Sequence, residues 1–138
     1  MTAHDLVQAY YDAFNRKDWD AMLALVHPDV RHDANQGSTR VGKELFRQFL
    51  AHMDRCYDET LTEMVILTEP TGSRVACEFT VNGTYKETDG ELPPAAGQPY
   101  QLPAGSFLSV ADGQITRVTT YYNLPLWEAL VLGKPQNG

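Results

Sequence analysis

The 138-residue sequence predicts an α+β domain, with helices gathered on one face of a curved, mainly antiparallel sheet that wraps a cone-shaped cavity. Three observations predict it. Up to residue 57 apolar side chains recur at helical spacing, apart from one strand near residues 29–33. From residue 60 to about 123 they alternate with polar ones at the period of strands. Helices collected ahead of strands pack on one side of a sheet, rather than serving as crossovers between parallel strands.

In the first segment, Leu6, Val7, Tyr10, Tyr11 and Phe14 form one stripe of a helix, which Asn15-Arg16-Lys17-Asp18 breaks. Asp18 is suited to cap a second, short helix holding Met22, Leu23, Leu25 and Val26. Pro28 is expected to end that helix, because the residue before proline avoids the helical region. A strand from Asp29 carries Asp33 to its end, and a loop through Ser38 and Thr39 follows. Leu45, Phe46, Phe49, Leu50, Met53 and Tyr57 then mark one side of a third helix.

The strand half begins at Thr60, with Leu61, Val65 and Leu67 expected on one face. Pro70-Thr71-Gly72-Ser73 is a turn. Val75, Cys77, Phe79 and Val81 form the apolar face of the next strand. Residues 86–99 are rich in turn formers and read as an excursion with the makings of a flap. Strands follow over 100–110 and 115–123. On the last, Thr116, Val118, Thr120 and Tyr122 share one face, with Ile115, Arg117, Thr119 and Tyr121 opposite. The tail carries Leu124, Leu126, Trp127, Leu130 and Val131, enough apolar surface to dock. There is no internal repeat or linker, so residues 1–138 read as one domain.

The bulk numbers narrow the function. With 43% hydrophobic and 21% charged residues the chain has the balance of a folded protein. A net charge of −7 without a Lys/Arg cluster argues against nucleic acid or an anionic membrane surface as partner. No apolar run approaches the ~20 residues of a membrane helix, and the N-terminus lacks the pattern of a secretory signal. The expected location is the cytoplasm. Cys56 and Cys77 match no metal or redox spacing and read as buried free thiols. The four histidines show no ligand spacing, so neither a metal nor a cofactor is expected. Trp19 and Trp127 read as core packing.

What remains is carboxylates and seven tyrosines. A buried phenol needs a partner for its hydroxyl, from the protein or from a ligand in a cavity. A carboxylate opposite a phenol can take a proton from a carbon beside a carbonyl while the phenol supports the developing oxyanion. Two readings of Asp33 stand: a cavity-facing base, or a strand-end carboxylate that binds the N–H groups of the Asn35–Gly37 turn. Tyr10 reads either as that donor or as a core aromatic. His32, next to Asp33 on a strand, should face the other way. Asn35 and Gln36 fit turn chemistry within reach of the cavity mouth.

Tyr10-Tyr11-Asp12-Ala13-Phe14-Asn15, Asp18, His27-Pro28-Asp29-Val30-Arg31-His32-Asp33 and Val41-Gly42-Lys43-Glu44-Leu45-Phe46 together resemble the ketosteroid isomerases and the wider SnoaL-like, nuclear-transport-factor-2-like (NTF2-like) superfamily, nearest its ketosteroid-isomerase-related branch. The resemblance implies a cone-shaped α+β barrel with a deep apolar pocket, commonly a homodimer. It matches the oxyanion-binding tyrosine to Tyr10, the general-base aspartate to Asp33 and a pocket aromatic to Tyr122. Phe14, Tyr57 and Val118 are the further pocket walls. It puts Gly105 where those isomerases carry a second, protonated aspartate as donor, with the adjacent Ser106 pointing away.

The expected function is cofactor-free proton transfer, of isomerase or cyclase type, on a small hydrophobic carbonyl compound. The alternative is a non-catalytic binding or interaction module. Asp33→Asn separates the two: as base, Asp33 is needed for turnover and not for binding. The outer sheet face, with Arg117 and Tyr121, is the expected dimer surface.

Overall fold

The computed structural model describes residues 1–35 and 37–134; Gln36, expected near the cavity mouth, lies outside them. Helices α1 (Ala3–Asn15) and α2 (Trp19–Leu23) lead into strand β1 (Val26–Asp33) and the short β2 (Thr39–Val41). Helix α3 (Lys43–Cys56) is followed by β3 (Tyr57–Thr68), β4 (Arg74–Tyr85), β5 (Pro99–Ala111) and β6 (Gln114–Tyr122), then by α4 (Leu124–Leu132). The strands form one curled, unclosed sheet in the order β2-β1-β6-β5-β4-β3. All neighbours run antiparallel except β1 and β6. No helix among the described residues is long and apolar enough to cross a membrane.

Local chemistry sets the helix ends. The Thr2 hydroxyl accepts the Asp5 N–H at 3.0 Å and starts α1; the Asp18 carboxylate accepts the Ala21 N–H at 3.1 Å and starts α2, as its position suggested. Asn123 caps α4, and Gly133, left-handed at φ 69°, ends it. The α1 stripe lies on the core, with Leu6, Val7, Tyr10 and Tyr11 buried. Helix α4 docks as its apolar residues required, burying Trp127 and Val131.

Several boundaries differ from the sequence reading. Helix α2 ends at Leu23, and β1 starts at Val26, so Pro28 lies within a strand; it needs no N–H where the parallel β1–β6 ladder is interrupted. The supposed loop at Thr39 is the edge strand β2. Tyr57 opens β3 rather than closing α3, and Leu45 is exposed. The face expected for Leu61, Val65 and Leu67 is split. Register slips by one residue between Thr62 and Val65, where Glu63 is left-handed at φ 56°. Leu61 therefore points into the core, while Val65 and Leu67 are exposed. A slip between β5 and β6 likewise turns Ile115 into the core, away from the outer face expected for it.

Strand β3 is an edge whose free backbone is partly covered from α1. The Asn15 side chain donates to the Leu61 carbonyl at 3.0 Å and accepts the Leu61 N–H at 2.9 Å. Lys17 donates to the Glu59 carbonyl.

Candidate active site

Between the helices and the concave face of the sheet lies a cavity of about 450 Å³. Its walls are mostly apolar. Phe46, Phe49, Leu50 and Met53 come from α3, and Phe79, Val81, Leu102 and Val118 from the sheet. Tyr10, Phe14, Tyr57, Val118 and Tyr122, all expected at the pocket, line it.

Asp33 does not. Antiparallel pairing sets Thr39 beside it, and parallel pairing sets Thr119 on its other side. Both hydroxyls donate to its carboxylate, at 2.7 and 2.6 Å, and Arg31 adds a contact at 3.2 Å. These three lie on the sheet face opposite Val118, Thr120 and Tyr122, which line the cavity. The inward position at the end of β1 belongs to His32, so the base assigned to Asp33 is corrected to a structural carboxylate. Partial burial alone would raise its pKa; the Thr119 and Thr39 hydroxyls and Arg31 outweigh that and hold it at about 2.

A folded value below the unfolded one stabilises the protein above the unfolded value, and the gain is lost as pH falls through the folded one. Asp33→Asn is accordingly expected to destabilise the fold by about 1–2 kcal/mol at neutral pH. Urea titrations at several pH values should show the gap to wild type closing between about pH 4 and pH 2.

The second expected donor position is corrected too. Ala104 pairs with Phe79 and Tyr122, and Ser106 with Cys77 and Thr120, so these two face inward while Gly105 faces out beside Glu78 and Tyr121. The fully buried Ser106 hydroxyl lies 2.5 Å from the Tyr11 hydroxyl, a bond that satisfies both.

Of the two carboxylates that line the cavity among the described residues, Glu59 and Asp89, neither is among the expected site residues. Glu59 alternates inward with Tyr57 and Leu61 on β3. One of its oxygens accepts the Tyr100 hydroxyl at 2.5 Å. Tyr100 reaches it from β5 by passing over Gly83, which pairs with both residues and has no side chain to block the ring. Burial pushes the Glu59 carboxyl above its ordinary range, against the opposing influence of Tyr100 and Lys17. Its other oxygen has no protein partner among the described residues. The signal is the alternation Tyr57-Glu59-Leu61, which a strand begun at Thr60 leaves out.

Tyr10 is buried, and its hydroxyl makes no hydrogen bond among the described residues. Burial first, with Tyr11 and Cys77 nearby, raises its pKa, which keeps the phenol protonated as a donor.

A further polar group closes the cavity beside α4. Asp89, on the loop after β4, accepts the Tyr57 hydroxyl at 2.6 Å and lies 2.7 Å from His52 Nε2. The loop is tied down by the Tyr85 hydroxyl, which donates to the Pro93 carbonyl at 2.7 Å and accepts the Asp89 N–H at 2.9 Å. The excursion expected at 86–99 is thus part of the cavity wall, and Pro99 belongs to β5. Trp127 packs edge-on against Tyr57, Tyr85 and Tyr100, and also faces the cavity.

His52, Cys56 and Asp89 bring ligand-type atoms within 4.8 Å of one another, a grouping the sequence reading missed although His52 and Cys56 are one helical turn apart. Arg55 lies 2.9 Å from His52 Nδ1 and can only donate, so Nε2 carries the proton directed at Asp89. That arrangement suits a hydrogen-bonded pair. A metal on Nε2 would need Nδ1 to donate.

Helices packed on the concave side of a curled sheet, over an apolar cavity with a few converging polar groups, define the NTF2-like class of α+β proteins. The chain belongs to the SnoaL-like domain family, whose model matches residues 7–118. Among solved structures it is similar to a provisionally assigned polyketide cyclase of Pseudomonas putida, at 51% identity and TM-score 0.94 over 95% of this chain and 98% of that one. A second provisionally assigned polyketide cyclase, from Silicibacter, is 55% identical at TM-score 0.92, covering 94% and 95%. An NTF2-like protein of Burkholderia pseudomallei, 19% identical at TM-score 0.80 with 95% and 98% covered, shares the fold. No curated protein matches.

Proposed function

We propose that the protein catalyses cofactor-free proton transfer beside the carbonyl of a small apolar compound, of the isomerase or cyclase type. The observation that carries this reading is Glu59: a carboxyl group with a raised pKa, one oxygen held by Tyr100, facing an apolar cavity. The ionised carboxylate removes a proton from the carbon next to the carbonyl, and the C–H electron pair passes into the enolate. Tyr10 donates to the oxygen as it gains charge. Return of the proton to another carbon completes an isomerisation; attack of the enolate carbon on a second carbonyl closes a ring, with the C=O π pair becoming an alkoxide that takes the proton back from the Glu59 carboxyl. The likeness to provisionally assigned polyketide cyclases supports the cyclase form.

The reaction's first half can be read without the natural substrate. In D₂O the protein should accelerate exchange of the α-protons of 2-tetralone, followed by NMR, with a rate that rises as pH passes a value above the ordinary carboxyl range. Bound ketone with no exchange would leave a binding role in this cavity and remove the catalytic one.

We further propose that two copies pair through the sheet face opposite the cavity. Phe107 and Tyr121 are exposed there with rings 5.9 Å apart, and Leu67, Ala76 and Phe107 form one cross-strand row. Light scattering should give a dimer for wild type and a monomer for Phe107→Lys; a monomeric wild type would refute the pairing.

A further inference from the structure

The cavity has a second pole, on the sheet edge opposite Glu59. Arg40 on β2 and His32 on β1 are cross-strand partners, and Asn35 follows β1; all three line the cavity. Each has a buried polar atom without a partner among the described residues: Arg40 Nη1, His32 Nδ1 and Asn35 Nδ2. Leaving a buried polar group unsatisfied costs its full desolvation penalty, more when it is charged, so native proteins seldom gather three around one space.

The arrangement is built. The His32 ring is 3% exposed and held against Phe46 and Phe49, with centroids 5.0 and 4.3 Å away. Burial, with Arg40 nearby, pushes its pKa down to about 4, so it is neutral at physiological pH. The Arg40 guanidinium lies over Phe49, 5.5 Å from the ring centre. Arg31 meets Asp33, Arg47 meets Asp20 and Glu44, and Arg55 meets Glu87, while Arg16, Arg74 and Arg117 pair with no carboxylate among the described residues and do not line the cavity. Arg40 has none among the described residues. The orientation of the Asn35 amide is fixed, because its Oδ1 accepts the Tyr122 N–H at 3.2 Å, which leaves Nδ2 as a donor.

Two of these atoms can only donate, and one belongs to a cation. What they lack is an acceptor carrying negative charge. Glu59 and Asp89 lie toward the other edge of the sheet, where an anion would be repelled. We infer that Arg40, Asn35 and His32 form an anion subsite, and that the protein's ligand is a small apolar molecule bearing a carboxylate. The carboxylate sits on Arg40 and Asn35, and the apolar body lies along Phe46, Phe49 and Leu50 toward Glu59. The inference deepens the proton-transfer reading by naming its substrate class, and its test reads binding alone, so turnover can fail while it stands.

The probes are 2-naphthoate and its methyl ester, titrated against the intact protein and followed by Trp127 fluorescence and calorimetry. Wild type should bind the carboxylate at least about tenfold more tightly than the ester, the scale of one charge-assisted hydrogen bond. Arg40→Met should abolish that preference and leave ester affinity in place. Naphthoate should also shift the Asn35 side-chain amide and Arg40 Nε–H resonances of wild-type protein where the ester does not, a readout independent of any variant's folding. Failure of naphthoate to bind, equal binding of acid and ester, or unmoved Asn35 and Arg40 resonances overturns the subsite.

Discussion

Glu59→Gln is expected to slow α-proton exchange on 2-tetralone by about 10²–10⁴-fold, the usual contribution of a positioned general base, while the ketone still binds. The amide preserves shape and still accepts the Tyr100 hydroxyl, so the loss is that of a group able to take a proton. The same substitution should change stability in the opposite sense to Asp33→Asn. Burial raises the folded-state value of Glu59, so ionising it works against the fold. That penalty is absent at low pH and develops as pH rises from the unfolded value through the folded one. Wild type should therefore lose stability relative to Glu59→Gln over that interval. A variant that keeps wild-type exchange would move the base elsewhere, with Asp89 as the other carboxylate at the cavity.

Gly83→Ala should be the most damaging single-carbon change in the sheet. A Cβ at this position would fall within the van der Waals envelope of the Tyr100 ring. The ring cannot move cheaply: Tyr100 is 5% exposed, packs edge-on against Trp127 at 5.9 Å, and donates to Glu59. We expect a loss of about 2–4 kcal/mol, combining overpacking with a strained or broken bond to a carboxyl group. The cause can be isolated by a double-mutant cycle. In a Tyr100→Ala background, Gly83→Ala should be neutral or slightly stabilising, because alanine orders a strand better than glycine. An equal cost in both backgrounds would place the strain elsewhere.

The sequence was most informative where one periodicity ran unbroken. The α1 stripe, the buried Val75-Cys77-Phe79-Val81 face of β4 and the docked tail all follow from burial of apolar positions. The pocket walls Tyr10, Phe14, Tyr57, Val118 and Tyr122 emerged from the same reasoning combined with family resemblance. The errors came where a single residue shifts the phase. One position at the end of β1 decides whether His32 or Asp33 faces the cavity, and the left-handed backbone of Glu63 reverses the second half of β3. Glu59 is legible in the alternation Tyr57-Glu59-Leu61 once β3 starts at Tyr57. The Arg40–Asn35–His32 group is not, because it depends on the sheet curling so that both its edges border one space, and no local pattern encodes that curl.

Because the sheet never closes on itself, β3 leaves a twelve-residue strand with one side of its backbone unpaired, the form of surface on which chains add to one another as aggregates. The Asn15 amide meets that hazard by imitating a neighbouring strand: it engages both the N–H and the C=O of Leu61, and Lys17 covers the carbonyl of Glu59 two residues back. Beyond them the bend at Glu63 breaks the straight run an incoming strand would need. The residues that break α1 therefore also keep the molecule's longest open edge from recruiting another chain, and they do so on the very strand that carries Glu59.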